Sequence, residues 1–175
     1  SSVLHSAEEM KKTGKIIAAN VTDGPQVDAY TCSMVLCYIV QEKVGLESIW
    51  QMTVRDRNRI ALFGDILGGA ILGLKNMLAL TGDHAALGDN KRARAVYDLD
   101  STQLIELVGR IVDDGTDLEG KEIEGGPVEM NVGCAANPNS DPREPEIVKV
   151  GRKVEVGADF IQTQTMFDIE KTKTF

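Results

Sequence analysis

The chain has 175 residues, enough for one ordinary domain and too few for two. Apolar residues make up 42% and charged residues 26%, a balance that permits a packed core and excludes wholesale disorder. With 27 acidic and 19 basic side chains the net charge is −8, which excludes a whole-chain electrostatic grip on nucleic acid or an anionic membrane.

The three cysteines, Cys32, Cys37 and Cys134, form no CxxC pair, and two histidines complete no metal-ligand spacing. Neither a disulfide scaffold nor structural zinc is expected. The odd cysteine count fits a reducing, cytoplasmic setting, and the opening Ser1-Ser2-Val3-Leu4-His5 shows no basic n-region or apolar h-region, so no signal peptide is expected. Asp65 and Lys75 interrupt the most apolar stretch, residues 60–80, so no membrane span is expected. Gly69 and Gly73 within it read as a close-packed helix face.

The elements alternate along the chain. Residues 5–13 predict a helix stopped by Gly14, and 15–21 a buried strand. An apolar helix over 31–43 ends near Gly45, and a second strand covers 48–54. From Asn58 a helix carries Ile60, Phe63, Leu67, Ile71 and Leu74 as one buried stripe. A third strand covers 76–80, followed by a polar, turn-rich 84–99. Asp100 and Gln103 form a capping arrangement ahead of a helix bearing Leu104, Leu107, Val108 and Ile111. Residues 113–127 form an acidic, Gly-rich excursion with a hairpin around Gly120. A fourth strand over about 128–135, a helix from Pro145 to Gly157, a fifth strand over 159–164 and the start of one more helix complete the series.

Strands separated by helices define an α/β fold with a parallel sheet. A five-stranded doubly wound domain and an arc of a (β/α)8 barrel both fit the pattern. No G-x-G-x-x-G and no P-loop is present. Polar residues recur at the predicted strand ends: Thr22-Asp23, Thr53 to Arg59, Thr81 to His84, Asn137 to Asp141 and Gln162 to Asp168. In parallel α/β folds that edge is where ligands bind. Arg55-Asp56-Arg57-Asn58-Arg59 reads as an Arg/Asp network at a helix entrance or as an anion contact. His84 is a further candidate at this edge, whereas His5 is expected on the surface and Cys37 and Cys134 in the core.

Five motifs occur in order: Asn20-Val21-Thr22-Asp23, Gln51-Met52-Thr53 with Arg55 to Arg59, Leu80-Thr81-Gly82-Asp83-His84, Tyr97-Asp98-Leu99-Asp100-Ser101, and Gly157 to Gln164. Together they resemble the methylenetetrahydrofolate reductase family, especially its short acetogen-like prokaryotic type, over essentially the whole chain. The resemblance implies a (β/α)8 TIM barrel, here incomplete. Residues 1–175 would form one partial barrel domain of about five parallel strands, without counterparts of the first strand and the last two βα units. It implies flavin-dependent reduction of 5,10-methylenetetrahydrofolate to 5-methyltetrahydrofolate, with FAD or FMN as cofactor and NAD(P)H or another reductant as donor. A tetrahydrofolate substrate and a homo-oligomer or redox partner subunit are implied with it. So is the absence of the family's strand-one general acid.

By the same resemblance Asp83 matches the family's aspartate beside flavin and pterin, and Gln164 the glutamine that bonds the pterin. These two are the implied catalytic and substrate-binding pair. Thr22, Gln51, Thr81, Gly82, Tyr97, Asn137, Asp141, Arg152 and Lys153 align with cofactor-contacting positions, joined by Asp83. Thr81 stands where many members have Arg, and Gln51 where some have His. Arg152 and Lys153 align with a basic pair near the cofactor's phosphate or adenosine end. The alternatives are a non-catalytic folate- or flavin-binding barrel subunit of a redox complex, and an unrelated doubly wound binding domain.

Overall fold

The computed structural model describes residues 2–126 and 128–175; Pro127, the end of the expected acidic excursion, lies outside them. Five strands, β1 (Ala18–Val21), β2 (Glu47–Thr53), β3 (Asn76–Leu80), β4 (Asn131–Ala136) and β5 (Phe160–Thr163), pair in chain order, all parallel. A doubly wound sheet reverses its strand order once; this one does not. The helices are α1 (Ser2–Lys12), α2 (Ser33–Val44), α3 (Arg59–Ile71), α4 (Ser101–Gly109), α5 (Glu144–Glu155) and α6 (Ile169–Lys173).

The sheet is curled. Asn20 on β1 donates from Nδ2 to Gln162 Oε1 on β5 at 2.7 Å. Neighbouring strands lie about 4.8 Å apart, so β1 and β5 would be about 19 Å apart in a flat sheet, beyond the reach of two amide side chains. The strands therefore face each other across a lumen, the arrangement of an incomplete TIM-like barrel.

Strand alternation assigns the two faces. Trp50, Met52, Met77, Ala79, Val132 and Cys134 point outward into the main core, where Leu62, Ile66, Leu104, Ile105 and Val108 cover them. Gln51, Leu78, Gly133 and Phe160 share a register row on the inner face. The Phe160 ring lies over Gly133, where a Cβ would stand 2.2 Å from ring carbon Cε2. Outside, Gly69 of α3 receives the Trp50 indole, which a Cβ there would meet at 2.9 Å.

Several boundaries differ from expectation. β1 begins at Ala18, and Ile17 is 89% exposed, because the Ile16-Ile17 pair precedes the ladder. β4 begins at Asn131; Val128 packs on the core without pairing. The expected stripe from Ile60 to Leu74 holds in part: Leu74 is fully buried and Phe63 and Leu67 pack on the core, but its two isoleucines do not. Ile60 and Ile71 are 79% and 86% exposed, and the buried face is Leu62, Ile66 and Gly69. That helix is apolar nearly all round, so periodicity could not choose its face; the Trp50 contact at Gly69 does. Gly73 lies beyond α3 at φ 75°, ending the helix rather than extending a glycine stripe. Asn58 caps α3, Asp100 and Gln103 cap α4 reciprocally, and Gly120 at φ 80° turns the excursion beside a Thr116–Glu122 bridge, as expected.

Candidate active site at the strand C-termini

At the C-terminal ends of β3, β4 and β5 lies an open cavity of about 480 Å³. Thr81, Gly82 and Asp83 enter it after β3, Asn137 after β4 and Gln164 after β5, with Lys153 from α5. Ala135 and Ala136 form a low wall.

Most polar groups here are engaged. Thr81 Oγ1 donates to Ser101 Oγ at 3.1 Å and accepts from the Ser101 backbone N–H. The Asn137 N–H donates to Glu146 Oε1 at 2.9 Å, and Asn137 Oδ1 accepts from the Asn139 N–H. Lys153 Nζ donates to the Ala135 carbonyl at 3.0 Å. The Asp83 carboxylate and the Gln164 amide are different: among the described residues neither side chain has a hydrogen-bond partner. The Gln164 backbone N–H bonds the Ala136 carbonyl at 2.8 Å, which carries the β4–β5 ladder up to the cavity.

The remaining predicted residues lie elsewhere. Thr22 is exposed at the end of β1. Gln51 donates to Asn20 Oδ1 at 2.8 Å inside the lumen. Tyr97, at φ 43°, supports the cavity from behind, its hydroxyl donating to the Gly82 carbonyl at 3.3 Å. Burial raises its phenol pKa, against the opposing charge of Arg55. Asp141 belongs to a separate concavity with Pro142, Arg143 and Glu144. Arg152 is exposed and does not line the cavity. His84 turns its Nδ1 to the Ala86 N–H, capping a short 3-10 turn.

Ser101, which ends the fourth motif, and Glu146 also line the cavity, and neither is among the expected site residues. Both sit in the first turn of the helix that follows a strand, α4 and α5, where the βα return brings helix N-termini back to the rim. The Asp100 capping box marked that position for Ser101.

The Arg-rich segment is the expected ion network. Asp23 Oδ2 accepts from the Thr53 N–H at 2.9 Å, Thr53 Oγ1 at 3.0 Å and Arg57 Nη1 at 2.7 Å. Arg57 also holds Asp65, Arg55 grips Asp56, and Arg59 grips Asp98. The Arg59 hydrogen bonds keep the Asp98 carboxyl below its ordinary range.

Sequential parallel strands, helices on the outside and a polar cavity on the C-terminal rim define a barrel-type α/β enzyme scaffold. The chain matches the methylenetetrahydrofolate reductase family over residues 2–175 and belongs to it. It is thereby a folate-related reductase, an oxidoreductase. No helix among the described residues is long and apolar enough to cross a membrane.

Proposed function

We propose that this chain forms the flavin- and folate-facing part of an enzyme that reduces 5,10-methylenetetrahydrofolate to 5-methyltetrahydrofolate. One observation carries the reading: in a cavity whose other polar groups are mostly tied to the protein, Asp83 and Gln164 both present unengaged polar heads.

A cavity of about 480 Å³ suits a planar heterocycle, and its wall of Ala135, Ala136 and Gly82 lets a flat ring approach the backbone. Thr81, Gly82, Asn137 and Lys153 offer hydrogen-bond donors and acceptors suited to a flavin and would hold it. When bound, the flavin supplies the relay of hydride from a reduced nicotinamide or another donor. FAD and FMN are both compatible with this donor set.

The residues of the chain act on the folate. Opening its imidazolidine ring breaks the bond from the one-carbon unit to N10, which takes up a proton, and leaves a cationic iminium at N5; the unengaged Asp83 carboxylate stabilises that cation electrostatically as water is displaced. Gln164 offers an N–H donor and a carbonyl acceptor to the pterin edge, which orients the one-carbon unit. In this reading the protein works in the cytoplasm, as a homo-oligomer or with a redox partner subunit.

The test is anaerobic. Photoreduced, bleached flavoprotein should regain its yellow colour when methylenetetrahydrofolate is added. Protein that stays bleached yet binds 5-methyltetrahydrofolate would instead be a non-catalytic binding subunit. Protein that binds neither flavin nor folate would remove the reading altogether.

A further inference from the structure

Gln51, Asn20 and Gln162 form a chain of amides inside the lumen, contributed by β2, β1 and β5. Gln51 Nε2 donates to Asn20 Oδ1 at 2.8 Å, and Asn20 Nδ2 donates to Gln162 Oε1 at 2.7 Å. The second bond is the one that crosses the lumen. It joins two strands that share no ladder, because β1 pairs only with β2, and β5 only with β4.

This matters most for β5. It is four residues long, and among the described residues its backbone ladder rests on β4 alone. Gln164 stands two residues beyond Gln162 and so on the same inward face, with its backbone still paired to Ala136. A force that holds Gln162 toward β1 therefore fixes the direction in which Gln164 enters the cavity it shares with Asp83.

We infer that Asn20 is a positioning residue: by bridging Gln51 and Gln162 it ties β5 across the lumen and sets where the Gln164 amide stands relative to Asp83. Its effect on the reaction rests on the reductase reading above; the tie itself does not. Asn20 does not line the cavity and acts on the folate only through Gln164.

Hydrogen exchange of the full chain and steady-state kinetics of the flavin-loaded protein test this together. Asn20→Leu and Gln162→Leu should both speed exchange of the amides at 160–164 and leave α3 unchanged. Both should raise KM for methylenetetrahydrofolate about five- to tenfold, the loss of roughly one hydrogen bond at Gln164, with the flavin spectrum unaltered. The double variant should be no worse than either single one. The swap Asn20→Gln with Gln162→Asn conserves the length of the bridge and should restore KM.

Unchanged exchange in β5, or exchange speeded equally throughout the sheet, overturns the tie. Faster β5 exchange with an unaltered KM overturns the positioning role. If the wild-type protein leaves methylenetetrahydrofolate unreduced, the reductase reading falls and the positioning role with it, while the exchange comparison still decides the tie.

Discussion

Replacing Asp23 with alanine should destabilise the protein by about 3 kcal/mol, because this one carboxylate closes the rim between β1 and β2. Its side chain is 10% exposed and that of Arg57 is 19% exposed, so solvent replaces little of what is lost. Removing the carboxylate leaves the buried Thr53 N–H without its acceptor, a cost of about 1–3 kcal/mol. It also takes from Arg57 one of two carboxylate partners, and breaking a buried pair costs about 3–5 kcal/mol. Arg57 keeps Asp65 at 3.0 Å and the Thr53 carbonyl at 3.1 Å, which offsets part of the sum. For a chain of this size about 3 kcal/mol corresponds to a fall in Tm of roughly 6–12 °C, measured by calorimetry and checked by urea unfolding. Asp98→Ala is the control. Its Arg59 partner is 46% exposed, so solvent replaces most of what is lost and the effect should be clearly smaller. A loss below about 1 kcal/mol for Asp23→Ala, or equal losses for the two variants, would refute the reasoning.

Further expectations follow from the same geometry. Asp83→Asn should leave the melting curve unaltered and slow reoxidation of the reduced flavin by methylenetetrahydrofolate far more than reduction of the flavin; stopped-flow measurement of the two half-reactions checks this, and equal slowing would contradict it. Gly69→Val would drive two further methyl groups toward the Trp50 indole, already 2.9 Å from the position of a Cβ, and should lower stability by about 1–3 kcal/mol in urea titration. Burial pushes the Cys37 thiol up to about 12 and raises that of Cys134, while Cys32 is only half-buried. At pH 8 a disulfide reagent should therefore label one thiol per native chain and three in denaturant. The sign for stability follows: the unfolded thiol ionises near 8.5 and the folded Cys37 near 12, so its contribution is complete below about 8.5 and disappears as pH rises through that interval. The stability of Cys37→Ala should consequently fall less steeply than wild type above about pH 8.5.

The strands were legible where burial on both faces wrote continuous apolar runs, as at Met77-Leu78-Ala79. Ile16-Ile17 carry the same apolar signal but pair with no neighbouring strand, so the pattern predicts a β1 three residues longer than the ladder. The face of α3 could not be read, since packing of Trp50 against Gly69 selects it and both faces are apolar. The Arg55–Arg59 network is readable because a dense run of arginines needs partners, and Asp23 and Asp98 stand in neighbouring motifs; Asp65, one helical turn into α3, lies outside them. At the site, the family resemblance points to Asp83, Gln164, Thr81, Gly82, Asn137 and Lys153, which the fold brings to one cavity. The same resemblance points to Thr22, Asp141 and Arg152, which the fold sets apart from it. Linear order tells which residues reach the rim; the shear of the strands decides which of them meet. The Asn20–Gln162 bond, spanning 142 positions, depends wholly on that closure.

The most direct measurement is a crystal structure of the protein with flavin and 5-methyltetrahydrofolate bound. The account predicts a pterin within hydrogen-bonding distance of both the Asp83 carboxylate and the Gln164 amide, at the ends of β3 and β5. A pterin seated instead in the groove lined by Ile60, Phe63, Leu107 and Leu118, or beside Asp141 and Arg143, with Asp83 and Gln164 untouched, would contradict it.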